Sequence, residues 1–201
     1  MKWTTLAGTG GIGWDFPLFW DLKFRPIFNF SIGHVESDLS LLGRFLEFRF
    51  DQDIDFLDRG RLNAYGLGGS AVLDYERYRE SHEVDVELRY TYIHLESFDS
   101  STAVKGTADA QTLSLWSRLR LPTGLVVFRR PLRYVFEYTN TTYLGDQRGA
   151  LGFNYLNQFG FGLELDTSAY QIIVTRIRFV GRYVIGENVS GFSAGLAVTF
   201  F

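Results

Sequence analysis

The stretch WDLKFRPIFNFSIG, residues 20–33, decides the fold because its side chains alternate between two kinds. The even positions are large and mainly apolar, namely Trp20, Leu22, Phe24, Pro26, Phe28, Phe30 and Ile32. The odd positions are mostly polar or small. Successive side chains of a β-strand point to opposite faces, so this period of two predicts a strand with one apolar face.

The same alternation recurs along most of the 201 residues. It predicts strands over residues 46–56, 84–92, 113–121, 134–144, 151–165, 173–185 and 192–200, with weaker candidates at 3–16 and 61–78. The total is about ten strands, with a range of about 8–12, and their lengths suit the roughly 9–11 residues that cross a bilayer at a tilt. We therefore predict an all-β, antiparallel, up-and-down barrel that forms a single domain over residues 1–201.

The composition limits the kinds of site and of binding partner to be expected. No cysteine is present, so a disulfide framework, a thiolate metal site and a cysteine nucleophile are excluded. The net charge of −3 and the lack of a basic run give no reason to expect nucleic acid. The 19 Phe, 11 Tyr and 4 Trp favour strands.

The polar face distinguishes a membrane barrel from a soluble one. It carries many bulky charges, whereas the apolar face carries aromatic residues that cluster near strand ends. Outer-membrane barrels have an apolar exterior toward lipid, aromatic belts and a polar lumen. We therefore predict a transmembrane barrel of the bacterial outer membrane, with lipid as a partner and both termini in the periplasm. That arrangement needs an even number of strands.

In an up-and-down barrel, successive connections between strands lie on alternate sides of the membrane. Connections predicted on the extracellular side are 58–61, 98–109, 145–148 and 186–190. Connections predicted on the periplasmic side are 37–41, 79–82, 122–132 and 166–170.

The final segment, SGFSAGLAVTFF, residues 190–201, adds a second pattern to the alternation. It resembles the C-terminal β-signal that outer-membrane assembly machinery reads on its clients. The residues that carry this resemblance are Ser193, Gly195, Val198, Phe200 and Phe201. The resemblance implies the barrel assembly machinery as a partner.

Longer stretches carry a family resemblance. They are LNAYGLGGSAVLDYERY (62–78), ELRYTYIHLESF (87–98), RPLRYVFEYTNTTYLG (130–145), LGFNYLNQFGFGLELDT (151–167) and RFVGRYVIGENVSGFSAGLAVTF (178–200). From about residue 20 onward, the chain resembles the solitary autotransporter-like outer-membrane β-barrels. The resemblance implies an autotransporter-type barrel without a passenger. Autotransporter barrels usually have a helix that threads the pore, and residues 1–16 show no such pattern.

The histidines are the first candidates for chemistry. His34 and Glu36 share one strand face, as do His94 and Glu96, so either pair can support proton transfer or half of a metal site. These four residues occupy the same alternate positions as the apolar side chains of their strands. We therefore interpret them as polar residues on the lipid-facing side, at the rim of the membrane. The alternating topology places the two pairs at opposite ends. His82 is predicted to lie in a solvated turn. No GxSxG, HExxH or phosphate loop occurs, so we predict no catalytic, metal or cofactor site.

The lumen side of the strands carries opposed charges. The acidic set is Glu47, Asp51, Asp53, Asp55, Asp74, Glu76, Glu83, Asp85 and Glu87. The basic set is Lys23, Arg25, Arg118, Arg120, Arg176, Arg178 and Arg182. In a wide lumen these charges orient small polar solutes, whereas in a narrow lumen they close into salt bridges.

A barrel of about ten strands has a lumen only slightly wider than that of an eight-stranded barrel, whose interior is filled by side chains. The sequence therefore favours a non-enzymatic outer-membrane barrel with a charge-filled lumen and a structural or surface role. The first alternative is a narrow channel for small polar solutes or ions. A translocator remnant and an outer-membrane hydrolase are weaker alternatives.

Overall fold

The computed structural model describes residues 4–36, 61–98, 106–150, 152–166 and 174–200. These residues form ten β-strands in one antiparallel sheet, and no helix in these ranges is long and apolar enough to span a membrane. The strands are β1 (Thr4–Gly13), β2 (Phe16–Phe19), β3 (Leu22–Glu36), β4 (Arg61–Arg79), β5 (His82–Phe98), β6 (Thr107–Val127), β7 (Arg130–Gly145), β8 (Tyr155–Asp166), β9 (Val174–Gly186) and β10 (Ser190–Phe200). The prediction of an all-β antiparallel fold with about ten strands is confirmed.

The strand order in the sheet follows the chain. It runs β1, β3, β4, β5, β6, β7, β8, β9 and β10, and β2 also pairs with β3. Since β1 and β2 both pair with β3, they form one interrupted edge of the sheet, with Trp14 and Asp15 between them. Within the described ranges, β1 and β10 do not pair with each other, and the sheet is open there. Barrel closure stays a prediction.

The connections alternate between two ends of the sheet. We call the end at which β3, β5, β7 and β9 finish the loop end, and the end at which β4, β6 and β8 finish the turn end. Among the described connections, 187–189 lies at the loop end, and 20–21, 80–81 and 128–129 lie at the turn end. Both β1 and β10 run from the loop end to the turn end. Thr4 and Phe200 therefore lie at opposite ends of the sheet, and the position of the termini relative to a membrane stays a prediction.

One part of the predicted topology is wrong. β3 pairs directly with β4 from Leu22, opposite Tyr75, to Glu36, opposite Arg61. Glu36 and Arg61 both lie at the loop end, so connections 37–41 and 58–61 adjoin the same end rather than opposite ends. The predicted strand 46–56 lies outside the described residues.

The two faces of the sheet differ as the alternation predicts. We call the side that carries Val72, Val135 and Val180 the inner face, and each of these side chains is at most 1% exposed. The opposite side, the outer face, carries large exposed apolar side chains on nearly every strand. Examples are Ile12, Phe28, Leu67, Leu88, Leu113, Phe136, Phe161, Phe179 and Leu196.

The sheet curls around its inner face. The guanidinium of Arg176 on β9 donates a 3.0 Å hydrogen bond to the carboxylate of Glu83 on β5. These strands are four positions apart, and a flat sheet would separate them by about 19 Å. The two side chains cannot bridge that distance. Strong curvature therefore brings β5 and β9 to face each other.

The pairing is also strongly staggered. Register partners lead from Phe192, near the loop end of β10, to Leu22 at the turn end of β3. The path is Phe192, Tyr183, Phe159, Tyr138, Ser117, Val86, Tyr75 and Leu22. A line across the sheet thus moves from one end to the other. Such stagger is what tilted barrel strands require.

Two inner-face glycines allow unusually close strand contacts. A Cβ atom added at Gly68 would lie 2.0 Å from the carbonyl oxygen of Tyr92 on β5. A Cβ added at Gly162 would lie 2.0 Å from the carbonyl oxygen of Phe179 on β9. β4 and β8 can approach their neighbours this closely only without a side chain at these positions.

The β6–β7 connection is much shorter than the predicted 122–132 turn. The strands continue to Val127 and Arg130, with a register shift between Pro122 and Val126. Phe128 and Arg129 form the turn with φ values of 51° and 61°. Positive φ at both central residues matches the turn type that best fits strand twist, although Asn and Gly are its usual residues.

Candidate functional site

The inner face of β5 to β9 carries a connected set of charged side chains, which we call the ion-pair network. Its members are Glu83, Asp85, Arg118, Arg120, Arg133, Glu137, Glu164, Asp166, Arg176, Arg178 and Arg182. All five strands contribute side chains of the network. It is the most extensive polar feature of the described residues and the candidate functional site.

Glu83 collects three arginines from three different strands. Its carboxylate accepts hydrogen bonds from Arg120 on β6, Arg133 on β7 and Arg176 on β9. Glu83 is only 6% exposed. Because a buried carboxylate is costly unless it is paired, these arginines allow Glu83 to remain charged on the inner face.

Glu137 on β7 forms a second centre. Arg118 Nε lies 2.9 Å from one carboxylate oxygen, and Arg182 Nη2 lies 2.7 Å from the other. Arg178 Nε lies 3.8 Å away. Glu137 therefore binds arginines from both β6 and β9. The contact with β9 passes over β8, which lies between β7 and β9.

Glu164 connects these two centres. It is 1% exposed and accepts from Arg176 and Arg178, each at 3.4 Å. Arg176 also binds Glu83, and Arg178 also approaches Glu137. The network is consequently continuous from β5 to β9, and opposite charges meet throughout it.

A smaller group of charges lies on the inner face of β3 and β4. Lys23 Nζ lies 2.9 Å from Glu76, and Arg25 Nη2 lies 3.2 Å from Asp74. The side chains of Lys23 and Glu76 are 40% and 34% exposed. The Lys23–Glu76 pair is therefore more solvated than the pairs of the network, and a solvated pair contributes much less to stability.

The structure places twelve of the predicted lumen residues on the inner face. They are Lys23, Arg25, Asp74, Glu76, Glu83, Asp85, Glu87, Arg118, Arg120, Arg176, Arg178 and Arg182. The other four, Glu47, Asp51, Asp53 and Asp55, lie outside the described residues. The role of these charges as a lumen lining stays a prediction.

Four members of the network were missed from the sequence, namely Arg133, Glu137, Glu164 and Asp166. The signal was present, because Glu137 follows Phe136 and precedes Tyr138 in a predicted strand. Glu164 has the same kind of neighbours in Leu163 and Leu165. Alternation places both carboxylates on the inner face.

The histidines lie apart from the network on the outer face. His34 Nδ1 lies 2.7 Å from the side-chain oxygen of Asn63, and His94 Nδ1 lies 2.7 Å from Asp109. The predicted placement at opposite ends is wrong, because β3 and β5 both run toward the loop end. β4 lies between the two histidines. Among the described residues, no group of three His, Cys, Asp or Glu side chains is arranged to hold a metal ion.

The last strand carries most of the predicted assembly signal. Ser193 and Gly195 lie opposite Arg182 and Val180, on the inner face of β10. Val198 lies on the outer face, and Phe200 ends the strand. Phe201 lies outside the described residues. Recognition of this strand by assembly machinery stays a prediction.

No family model, curated protein or solved structure matches this chain.

Proposed function

We propose that this chain is an integral β-barrel of the bacterial outer membrane whose lumen is filled by the ion-pair network. It acts without catalysis, as a structural or surface protein, and the longer connections at its loop end form the exposed surface. The observation that carries the proposal is the contact between Glu83 and Arg176, which joins β5 to β9 through the centre of the curled sheet.

The outer face supports a lipid environment. Exposed Phe28, Phe161 and Phe179 lie on three different strands, at 51%, 54% and 58% exposure. Soluble monomers rarely expose a continuous apolar patch larger than a few hundred Å². An apolar surface on nearly every strand far exceeds such a patch. Lipid is the natural cover for it.

Aromatic residues at both ends of the sheet fit the same environment. Trp14 and Trp20 lie near the turn end and are 60% and 101% exposed. Tyr65 and Phe98 lie near the loop end with their ring centroids 6.0 Å apart. Aromatic belts at the two interfaces are typical of membrane barrels.

A barrel in lipid must also satisfy the backbone groups of its edge strands. β1 and β10 are the two edges, and they run in the same direction. Closure therefore takes either a parallel pairing of β1 with β10 or one further strand between them. The curvature and stagger of the sheet support closure by either route.

The ion pairs favour a filled lumen over the narrow-channel alternative. A barrel of about eight strands has an interior just wide enough for side chains. Here the central carboxylates Glu83, Glu137 and Glu164 are each at most 7% exposed and each bind at least two arginines. A passing ion would have to displace these contacts.

Conductance tests the filled lumen. We expect the refolded protein, once inserted into a planar bilayer at neutral pH, to show no steady channel openings. Replacement of both Arg176 and Arg178 by Ser is expected to produce openings, because it removes the side chains that bridge the two carboxylate centres. Lys23→Ser is the matched control and is expected to stay silent.

Steady openings of the unmodified protein would contradict the filled lumen and support the narrow channel. In that case, Arg178→Glu is expected to shift the reversal potential, because it reverses a charge beside the conduction path.

A further inference from the structure

A cleft of about 640 Å³ opens at the turn end of the sheet, between the β2–β3 turn and the end of β4. Its walls combine aromatic and cationic side chains, which are Phe19, Trp20, Tyr75, Tyr78, Arg77 and Arg79. Tyr78 lies beside the ion-pair network, with its ring centroid 5.8 Å from Arg120 Cζ, but none of these residues is a member of the network. The cleft therefore calls for an explanation of its own.

The aromatic side chains of the cleft are open to the surroundings. Trp20 is 101% exposed, Phe19 is 72% exposed and Tyr78 is 56% exposed. Indole and phenol rings are favoured at the level of lipid headgroups, where one end of the ring is apolar and the other is solvated. Phe19 pairs with the outer-face residue Leu22, so the aromatic side chains of the β2–β3 turn lie at one end of the apolar outer face, which fits that level.

The arginines of the cleft are only weakly neutralised. Arg77 Nε lies 4.0 Å from Asp21, and Arg77 Nη1 lies 3.5 Å from the Tyr75 hydroxyl, so both contacts are long. Arg79 lies two residues further along β4, on the same strand face. No ion pair of Arg79 occurs within the described ranges. Asp21 is the one carboxylate among the residues that line the cleft, so two cations face one anion.

We propose that this cleft binds the phosphate ester of a membrane phospholipid. The guanidinium groups of Arg77 and Arg79 donate to the phosphate oxygens, a geometry that suits their planar forks. Trp20 and Phe19 contact the glycerol and the upper acyl chain. This proposal rests on the proposed membrane location, and it adds a specific lipid contact at the turn end.

Fluorescence of Trp20 tests the site directly. A single-tryptophan protein is made by changing Trp3, Trp14 and Trp116 to Phe, and it is refolded into phosphatidylcholine vesicles. Brominated phosphatidylglycerol is expected to quench Trp20 at about a tenfold lower mole fraction than brominated phosphatidylcholine, because the cleft attracts its anionic headgroup. The double change Arg77→Gln and Arg79→Gln is expected to abolish this preference.

Arg129→Gln is the matched control, since Arg129 lies at the same end, in the β6–β7 turn and outside the cleft. It is expected to keep the tenfold preference. Equal quenching by the two lipids in the otherwise unmodified single-tryptophan protein would overturn the proposal, and that comparison needs no arginine variant.

Free phosphate esters share the same chemistry and form a separate arm of the test. If glycerol 3-phosphate shifts Trp20 emission and removes the quenching by phosphatidylglycerol at submillimolar concentration, the assignment to lipid is overturned. Protease protection in the same vesicles measures insertion. Failure to insert contradicts the proposed function, whereas insertion without lipid preference contradicts the cleft alone.

Discussion

Replacement of Glu83 by Gln is expected to lower the free energy of unfolding by about 3–5 kcal/mol, the usual cost of breaking a buried ion pair from one side. Gln keeps the size of the side chain but removes the charge that Arg120, Arg133 and Arg176 share. Three guanidinium groups then lose their common partner on a face where Glu83 is only 6% exposed. Urea unfolding of the protein refolded into lipid vesicles measures the loss.

Glu76→Gln is the control for this substitution. Glu76 also lies on the inner face, but its partner is Lys23, and the side chains of Glu76 and Lys23 are 34% and 40% exposed. A solvated pair contributes at most about 1 kcal/mol. Similar losses for the two variants would show that the network does not stabilise the fold more than an ordinary surface pair.

Replacement of Gly162 by Ala is expected to cost about 1–3 kcal/mol or more, through overpacking. The added methyl group would meet the carbonyl oxygen of Phe179 at 2.0 Å and the Cα of Val180 at 2.8 Å. These are backbone atoms that cannot rotate away, so β8 and β9 must separate. The same urea titration, with a lower midpoint at an unchanged slope, reports the change in stability.

Gly181→Ala is the matched control on β9. A Cβ added at Gly181 has its nearest neighbour, the carbonyl oxygen of Phe161, at 3.9 Å, an ordinary contact. We expect this variant to unfold at the same urea concentration as the unmodified protein or slightly higher. If Gly162→Ala were as stable as Gly181→Ala, the close approach of β8 and β9 would be refuted.

The strands and their faces could be predicted because both depend on local sequence. Alternation over residues 84–92 predicts a strand, and β5 covers His82–Phe98 with the expected apolar side chains on its outer face. The face on which a side chain lies follows from its odd or even position in the strand, so it can be predicted without knowing what the side chain contacts. The same parity placed Glu83, Asp85 and Arg118 on one face before their contacts were known.

The partners of these charges could not be predicted. Glu83 and Arg176 are 93 residues apart in sequence, and they meet only because the sheet curls. The close strand contacts at Gly68 and Gly162 are likewise visible only once the neighbouring strands are placed. Alternation therefore indicates which side chains share a face and not which of them form ion pairs.

The prediction for the ends of the strands failed for a different reason. The end at which a residue lies depends on the number of strands that cross the sheet before it. The prediction counts one crossing between β3 and β4, and this reverses β3 relative to the elements that follow. The direct pairing of β3 with β4 put His34 and His94 at the same end. The β6–β7 turn was misjudged because Phe128 and Arg129 adopt positive φ without the Asn or Gly that normally signals such a turn.

The most direct test of the membrane barrel is a cysteine scan with spin labels along β5 in lipid vesicles. The native chain has no cysteine, so every label reports one chosen position. Our account predicts that contact with lipid-dissolved oxygen alternates with a period of two. Maxima are expected at Leu88 and Tyr90, on the outer face, and minima at Arg89 and Thr91, on the inner face. Labels at Leu88 and Tyr90 that contact water-soluble reagents instead of lipid would contradict the membrane barrel.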